Sequence, residues 1–189
     1  PFLPVTVRDQ LSFDEIARIA ANTPNLPGVS VEQGLSRVYP SLESYAHVVG
    51  YVGPVSDTDL KRSNENNPLL KIPRFQVGKV GIEKHYEDIL RGSAGVMKVE
   101  VNALGRVMRN LDRKEGKPGN NIQLTVDTEL QSYIQARLGS ESASAVVMNC
   151  KNGEILAIAS SPSYDPNKFV KGISYSDFNE LRDNKFRPL

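Results

Sequence analysis

The residues able to do nucleophilic, acid–base or metal chemistry are few in this chain and poorly spaced for it. His47 follows Ser44 by three positions on one helical stretch, a Ser–His pair without the orienting carboxylate of a triad. Its ordinary reading is a helix histidine at or near a surface. The single cysteine, Cys150, closes an apolar strand and reads as a small buried hydrophobe rather than a nucleophile. Glu83, Glu87 and Asp88 gather near a helix start, where carboxylates favour the helix dipole without doing chemistry. His47 and His85 have no spacing that suggests a metal cluster, and one cysteine excludes a multi-cysteine zinc site. No G-x-G-x-x-G or G-x-x-x-x-G-K-[ST] run cradles a phosphate, and no G-x-S-x-G elbow presents a serine.

The elements that would position such groups are ordinary. The 189 residues suffice for one large domain or two small ones with a substantial core. Twenty-three Lys and Arg against twenty-two Asp and Glu leave a formal charge of +1, which argues against a nucleic-acid partner. No run approaches the ~18 apolar residues of a membrane helix, and no signal peptide opens the chain. The first residue is Pro1 rather than Met, so the true N-terminus is expected upstream.

Three stretches divide the chain by pattern. In residues 1–40, the alternation at Val5 and Val7 reads as a strand. The capping box Ser12-Phe13-Asp14-Glu15 starts a helix to about Ala21 that should bury Ile16, Ile19 and Ala20, and Val29 and Val31 read as a second strand. In residues 41–120, Ser41 caps a helix through Val49, with Gly50 as its left-handed C-cap. Ser56 to Asp59 starts a short helix and residues 61–77 read as a loop. A helix follows Gly81 and stops at Gly92, and the period-two pattern from Val96 returns through Arg106 to Leu111 as a hairpin. Residues 112–121 read as a boundary. In residues 121–189, a strand carries Ile122, Leu124 and Val126, and Asp127 caps a helix with Leu130, Tyr133, Ile134 and Leu138 on one face. Residues 145–150 and 154–160 form a hairpin through Asn152-Gly153, the preferred type I′ pair, with both faces buried. Beyond it, only Ser176 to Leu181 suggests helical turns. From residues alone the chain is an α+β interaction module.

Several phrases together resemble the class B penicillin-binding proteins of the elongation type, the penicillin-binding protein 2 family. Arg37-Val38-Tyr39-Pro40 resembles R-x-Y-P-x-G, with Leu42 where the family has Gly. His47-Val48-Val49-Gly50-Tyr51-Val52-Gly53 is similar to H-V-x-G-Y-V-G, and Gly78 to Glu83 to G-x-x-G-x-E, through Gly81. Glu100-Val101-Asn102 with Gly105-Arg106, Leu124-Thr125-Val126-Asp127 with Leu130-Gln131, Gly153 to Ala157, and Ser161-Pro162-Ser163-Tyr164-Asp165-Pro166-Asn167 continue in family order.

The resemblance implies an α+β pedestal, or dimerisation, domain: a strand–helix–strand head at 1–40 and a body at 41–120. The first helix and hairpin of a β-lactamase-like transpeptidase domain follow at 121–189. It implies that Arg37, Tyr39, Pro40, Gly50, Gly53, Gly81, Glu83, Glu100, Gly105 and Asp127 are structural or interface positions, with Arg37 and Glu83 partly buried and coupled. It implies neither cofactor nor metal. The family's S-x-x-K, S-x-N and K-T-G motifs are absent from these residues, so the acylated serine is expected beyond Leu189 and a membrane anchor before Pro1. Two functions follow: a parent enzyme cross-linking peptidoglycan stem peptides and binding β-lactams, and a piece that holds its catalytic domain and docks partners. Those partners would be the scaffold proteins and glycosyltransferase of the elongation complex, at the periplasmic face of the inner membrane. The septal class B enzyme, or a periplasmic module without enzymatic role, is the alternative.

Overall fold

The first helix is set by a reciprocal cap. Ser12 Oγ accepts the Glu15 N–H (3.3 Å) and Glu15 Oε2 accepts the Ser12 N–H (2.8 Å), opening α1 (Phe13–Asn22). The computed structural model describes residues 5–32, 34–62, 67–72, 74–103 and 107–189, and the chain divides into two compact units, Pro1–Arg37 and Val38–Leu189. In the first unit a 3₁₀ turn, Thr23–Asn25, follows α1. The strands expected at Val5–Val7 and Val29–Val31 do not form, and all four valines are exposed. Alternation records which side chains favour one face, but a strand exists only where a second backbone completes its ladder. No residue of α1 is buried: Ile16 and Ala20 are exposed and Ile19 is half-buried. The expected strand–helix–strand head is therefore a capped helix flanked by irregular backbone.

The second unit opens on a 3₁₀ turn, Leu42–Tyr45, that continues into α2 (Ala46–Val49); Ser41 makes no side-chain cap bond. β1 (Val52–Pro54) pairs antiparallel with β2 (Gln76–Gly78) across α3 (Asp57–Arg62) and a 3₁₀ turn at Pro68–Lys71, so the described residues of the expected 61–77 loop include the end of a helix, a 3₁₀ turn and the start of a strand. The helix after Gly81 breaks at Tyr86 into α4 (Gly81–His85) and α5 (Glu87–Arg91). β3 (Val96–Val101) and β4 (Val107–Lys114) form the expected hairpin, with two register shifts; β4 runs into the segment read as a boundary.

Asp127 caps α6 (Thr128–Leu138) through its side chain, and β5 (Ala143–Met148) and β6 (Ile155–Ser161) follow as an antiparallel pair. Residues 122–126 form no strand; Ile122, Leu124 and Val126 are half-buried while their neighbours are exposed. The β5–β6 turn spans 149–154 and is closed by Asn149 N–H to the Glu154 carbonyl and Gly153 N–H to the Asn149 carbonyl. Gly153 has φ +77° but Asn152 is not in the positive-φ region, so this is a longer loop around one left-handed glycine, not a two-residue type I′ turn. Cys150 lies exposed in that loop rather than buried. The tail forms α7 (Asn167–Lys171) and α8 (Tyr175–Asp183). Its Tyr164, Phe169 and Val170 join Tyr39, Ala46 and Val52 in the core, so the tail packs back onto the 39–54 segment.

α6 covers one face and one edge of the hairpin. Ala157 and Ala159 are buried, whereas Val146, Met148 and Ile158 are exposed, so the expectation that both faces are buried is not met here. Along the outer edge of β6, the Leu156 carbonyl accepts Asp127 N–H, Ile158 is held by Gln131, and the Ser160 carbonyl accepts Gln135 Nε2. Side chains one helical turn apart, Gln131 and Gln135, thus replace a neighbouring strand.

Two glycines let the backbone of α2 touch that of α4. Gly50 has φ +80° and ψ −153°, and a Cβ there would lie 2.1 Å from the Val80 carbonyl oxygen. Gly81 has φ +63°, and its Cβ would lie 2.7 Å from the Val48 carbonyl oxygen and 2.8 Å from Gly50 N. Both the conformation and the space require glycine. Gly50→Ala is expected to destabilise by about 3 kcal/mol or more in urea unfolding. Gly34→Ala, where nothing lies within 4 Å, should change stability by under ~0.5 kcal/mol. Equal effects would contradict this account.

Candidate functional site

Among the described residues, side-chain-to-backbone bonds gather at a junction between the 39–54 segment and the residues after Asp127. Three side chains from the later part reach carbonyls of 43–46: Ser163 Oγ donates to Glu43 (2.7 Å), Gln131 Nε2 to Ser44 (2.6 Å) and Tyr164 OH to Ala46 (3.2 Å), the Glu43 and Ala46 carbonyls also accepting the Ala46 and Gly50 N–H groups. Gln131 is completely buried; its Nε2 also donates to the Ile158 carbonyl (2.8 Å), and its Oε1 accepts the Ile158 N–H (2.9 Å). Asn167 does the same for Tyr39, accepting its N–H and donating to its carbonyl, both at 2.9 Å. Gln76 Nε2 donates to the Val170 carbonyl (2.9 Å), and His47 Nε2 lies 2.9 Å from the Pro188 carbonyl.

Aromatic packing closes the junction. Tyr51 stacks on Phe169 with centroids 3.9 Å apart, and Tyr164 meets Phe169, Tyr51 and His47 edge-on. Burial, with Tyr51 beside it, pushes the Tyr164 hydroxyl up to about 12, so it stays a donor to Ala46. Behind this layer, Val52 N–H donates to Tyr39 OH (3.0 Å), which donates to Glu83 Oε1 (3.1 Å); Glu83 is only 4% exposed.

The expected positions are distributed rather than convergent. Tyr39, Gly50, Gly53 and Glu83 are buried around β1, and Gly81 opens α4 against Gly50. Pro40 is exposed, Glu100 pairs with Arg109 on the β3–β4 hairpin, and Asp127 caps α6. Gly105 lies outside the described residues. Glu83 is buried as expected, whereas Arg37 is exposed rather than partly buried. Sequence patterning missed Gln131, because an apolar-face count selects Tyr133, which is 64% exposed. Gln131, Tyr164 and Asn167 all stand in phrases that carry the family resemblance, which gives none of them a role. Among the described residues no group of three His, Cys, Asp or Glu side chains is arranged to hold a metal ion, and no helix is long and apolar enough to cross a membrane.

The family model for the penicillin-binding protein dimerisation domain matches residues 1–124, and that for the penicillin-binding protein transpeptidase domain matches 143–188. The chain belongs to the penicillin-binding proteins. It is 40% identical over all 189 residues to the peptidoglycan D,D-transpeptidase MrdA of Escherichia coli K12, and 38% over 185 residues to that of Acinetobacter baumannii. It spans 30% of the former's length and 27% of the latter's. Among solved structures, the complex of penicillin-binding protein PBP2 with MreC from Helicobacter pylori matches with a TM-score of 0.79 and 32% identity. That match covers 94% of this chain and 32% of that one. PBP2 of Pseudomonas aeruginosa in complex with WCK 5153 matches with a TM-score of 0.67 and 34% identity, over 84% of this chain and 31% of that one. The elongation-type resemblance read from the motifs is thus borne out, as is the α+β class with a dimerisation domain and the start of a transpeptidase domain.

In this penicillin-binding protein the junction joins the two matched segments, and two nearby carboxylates carry opposite pH signatures. Partial burial raises the Asp59 carboxyl, but the Lys79 ammonium and the hydroxyl and amide of Ser56 outweigh it and hold it at about 2. Its stabilisation is present above the ordinary aspartate value, ~3.9, and is lost as pH falls towards about 2. Burial holds the Glu87 carboxyl above the usual range although it accepts the Gly78 N–H (2.6 Å). Its contribution is present below the ordinary glutamate value, ~4.3, and is lost as pH rises through the raised one. In urea unfolding, Asp59→Asn is expected to cost about 1–2 kcal/mol at pH 7, a difference that closes towards pH 2. Glu87→Gln is expected to be neutral or stabilising at pH 7 and to lose any advantage in acid. Two variants with the same pH dependence would contradict this assignment.

Proposed function

We propose that this chain is the non-catalytic carrier of an elongation-type peptidoglycan D,D-transpeptidase. It places the catalytic domain and offers a docking surface to a scaffold protein. The observation that carries the reading is the junction itself: side chains at 131, 163, 164 and 167 grip the backbone at 39–46, so the segment matched by the dimerisation model bears directly on that matched by the transpeptidase model. Residues 1–40 serve as head, 41–120 as pedestal and 121–189 as the start of the catalytic domain. Arg37, Tyr39, Pro40, Gly50, Gly53, Gly81, Glu83, Glu100, Gly105 and Asp127 act as framework and interface positions. The acyl-enzyme chemistry on stem peptides, and its capture by β-lactams, belongs to the part of the relatives' length that this chain does not span; S-x-x-K, S-x-N and K-T-G are absent from its residues. The intact protein works at the periplasmic face of the inner membrane beside a glycosyltransferase.

Scaffold docking is supported by the Helicobacter pylori relative, solved with MreC, and by the exposed apolar side chains of the first unit, Phe13 (84% exposed) on α1 among them. The test is a calorimetric titration of this chain with the MreC-type protein of the same organism, beside incubation with a fluorescent penicillin. Saturable binding weakened roughly tenfold by Phe13→Ser is expected, with no covalent penicillin in the intact mass. No binding, or one penicillin attached per chain, would overturn the reading.

A further inference from the structure

Gln131 lies in the short interval between the two matched segments and touches both. One amide nitrogen donates to the Ser44 carbonyl of the turn and to the Ile158 carbonyl of β6, while the same side chain's oxygen accepts the Ile158 N–H. Rotating this side chain away from either partner breaks the bonds to both. No solvent reaches it to replace them. Gln135, one turn later, holds the Ser160 carbonyl, so the outer edge of β6 lies along α6 rather than along another strand. Ser163 and Tyr164, just after β6, take the flanking carbonyls Glu43 and Ala46. Turn, helix and strand therefore close a ring with Gln131 at its centre.

We propose that Gln131 is a positioning residue of the intact enzyme, fixing strand β6 of the catalytic domain to the 43–46 turn of the pedestal so that the turn's placement sets the rate of acylation. The proposal rests on the transpeptidase reading above. Ser44 contributes only a backbone carbonyl, so the link does not depend on its side chain. A shift of the turn reaches β6 through hydrogen bonds with no slack, and misplacements of ~1 Å remote from the chemistry are enough to slow it.

The test uses the full-length enzyme and a fluorescent penicillin in stopped flow, resolving non-covalent affinity, the acylation rate constant and the fraction of molecules labelled. Gln131→Met keeps the length and removes the amide. It is expected to lower the acylation constant by roughly tenfold to a hundredfold, with affinity and labelled fraction unchanged. A lower labelled fraction with an unchanged constant in the labelled molecules would make Gln131 merely structural and overturn the proposal. Gln131→Glu supplies a second readout if the methionine variant folds poorly. Its ionised carboxylate faces two carbonyls, and its protonated form regains a donor, so its acylation constant should recover as pH falls, relative to wild type. A profile parallel to wild type would overturn the proposal. Failure of the wild-type enzyme to be labelled at all would instead overturn the transpeptidase reading.

Discussion

A buried side-chain amide that bonds the backbone of two separate elements ties them together, and in this chain Gln131 does so between the 42–45 turn and β6. The Glu43 and Ala46 carbonyls already accept the Ala46 and Gly50 N–H groups, so Ser163 and Tyr164 add second bonds there, whereas the Ser44 carbonyl takes its donor from Gln131. Ser163, Tyr164 and Gln131 all reach the same short segment from the later part of the chain. Once they do, the rest is constrained: β6 must lie beside α6, the 161–170 segment must turn back across Tyr51, and Asn167 arrives at the backbone of Tyr39.

The same logic explains why the packing is polar at its centre. The apolar residues buried at the junction are Tyr39, Ala46, Val52, Val170, Tyr164 and Phe169, in two clusters that both touch Tyr51. Hydrophobic burial alone is non-directional and tolerates sliding. Side-chain amides that pair with both the N–H and the carbonyl of one residue, as Gln131 does with Ile158 and Asn167 with Tyr39, fix register. Glycines at 50 and 81 allow the backbone of α2 to lie directly on α4, behind which Tyr39 and Glu83 are buried. A junction specified by direction as well as by area holds the two matched segments in one register.

What the sequence made legible was local chemistry. The Ser12–Glu15 box, the Asp127 cap, the Ser56–Asp59 pair and both hairpins are where spacing placed them, because each depends on contacts within a few residues. The strands read at 5–7, 29–31 and 122–126 failed because alternation cannot supply a partner backbone. The Asn152-Gly153 turn failed because Asn152 bonds Glu154 with its side chain instead of entering the left-handed region. The junction was illegible for a different reason. Its donors are polar residues, and nothing in the helical pattern around Gln131 points to the distant carbonyl at Ser44. The tail, which reads as polar and irregular, carries Tyr164, Phe169 and Val170 into the core. The family motifs carried the functional reading further than patterning did, because they quote the residues of 161–167 without needing to explain them.

The central claim is that residues 39–54 and 127–170 fold as one cooperative body through side-chain-to-backbone bonds. Native-state hydrogen exchange tests it at three amides that donate to side chains: Tyr39 to Asn167, Val52 to Tyr39 and Ile158 to Gln131. The account predicts that all three exchange through a common opening, with free energies agreeing within ~1 kcal/mol and falling together as urea is added. Exchange of Tyr39 and Val52 through an opening that leaves Ile158 protected would show two separable bodies and contradict it.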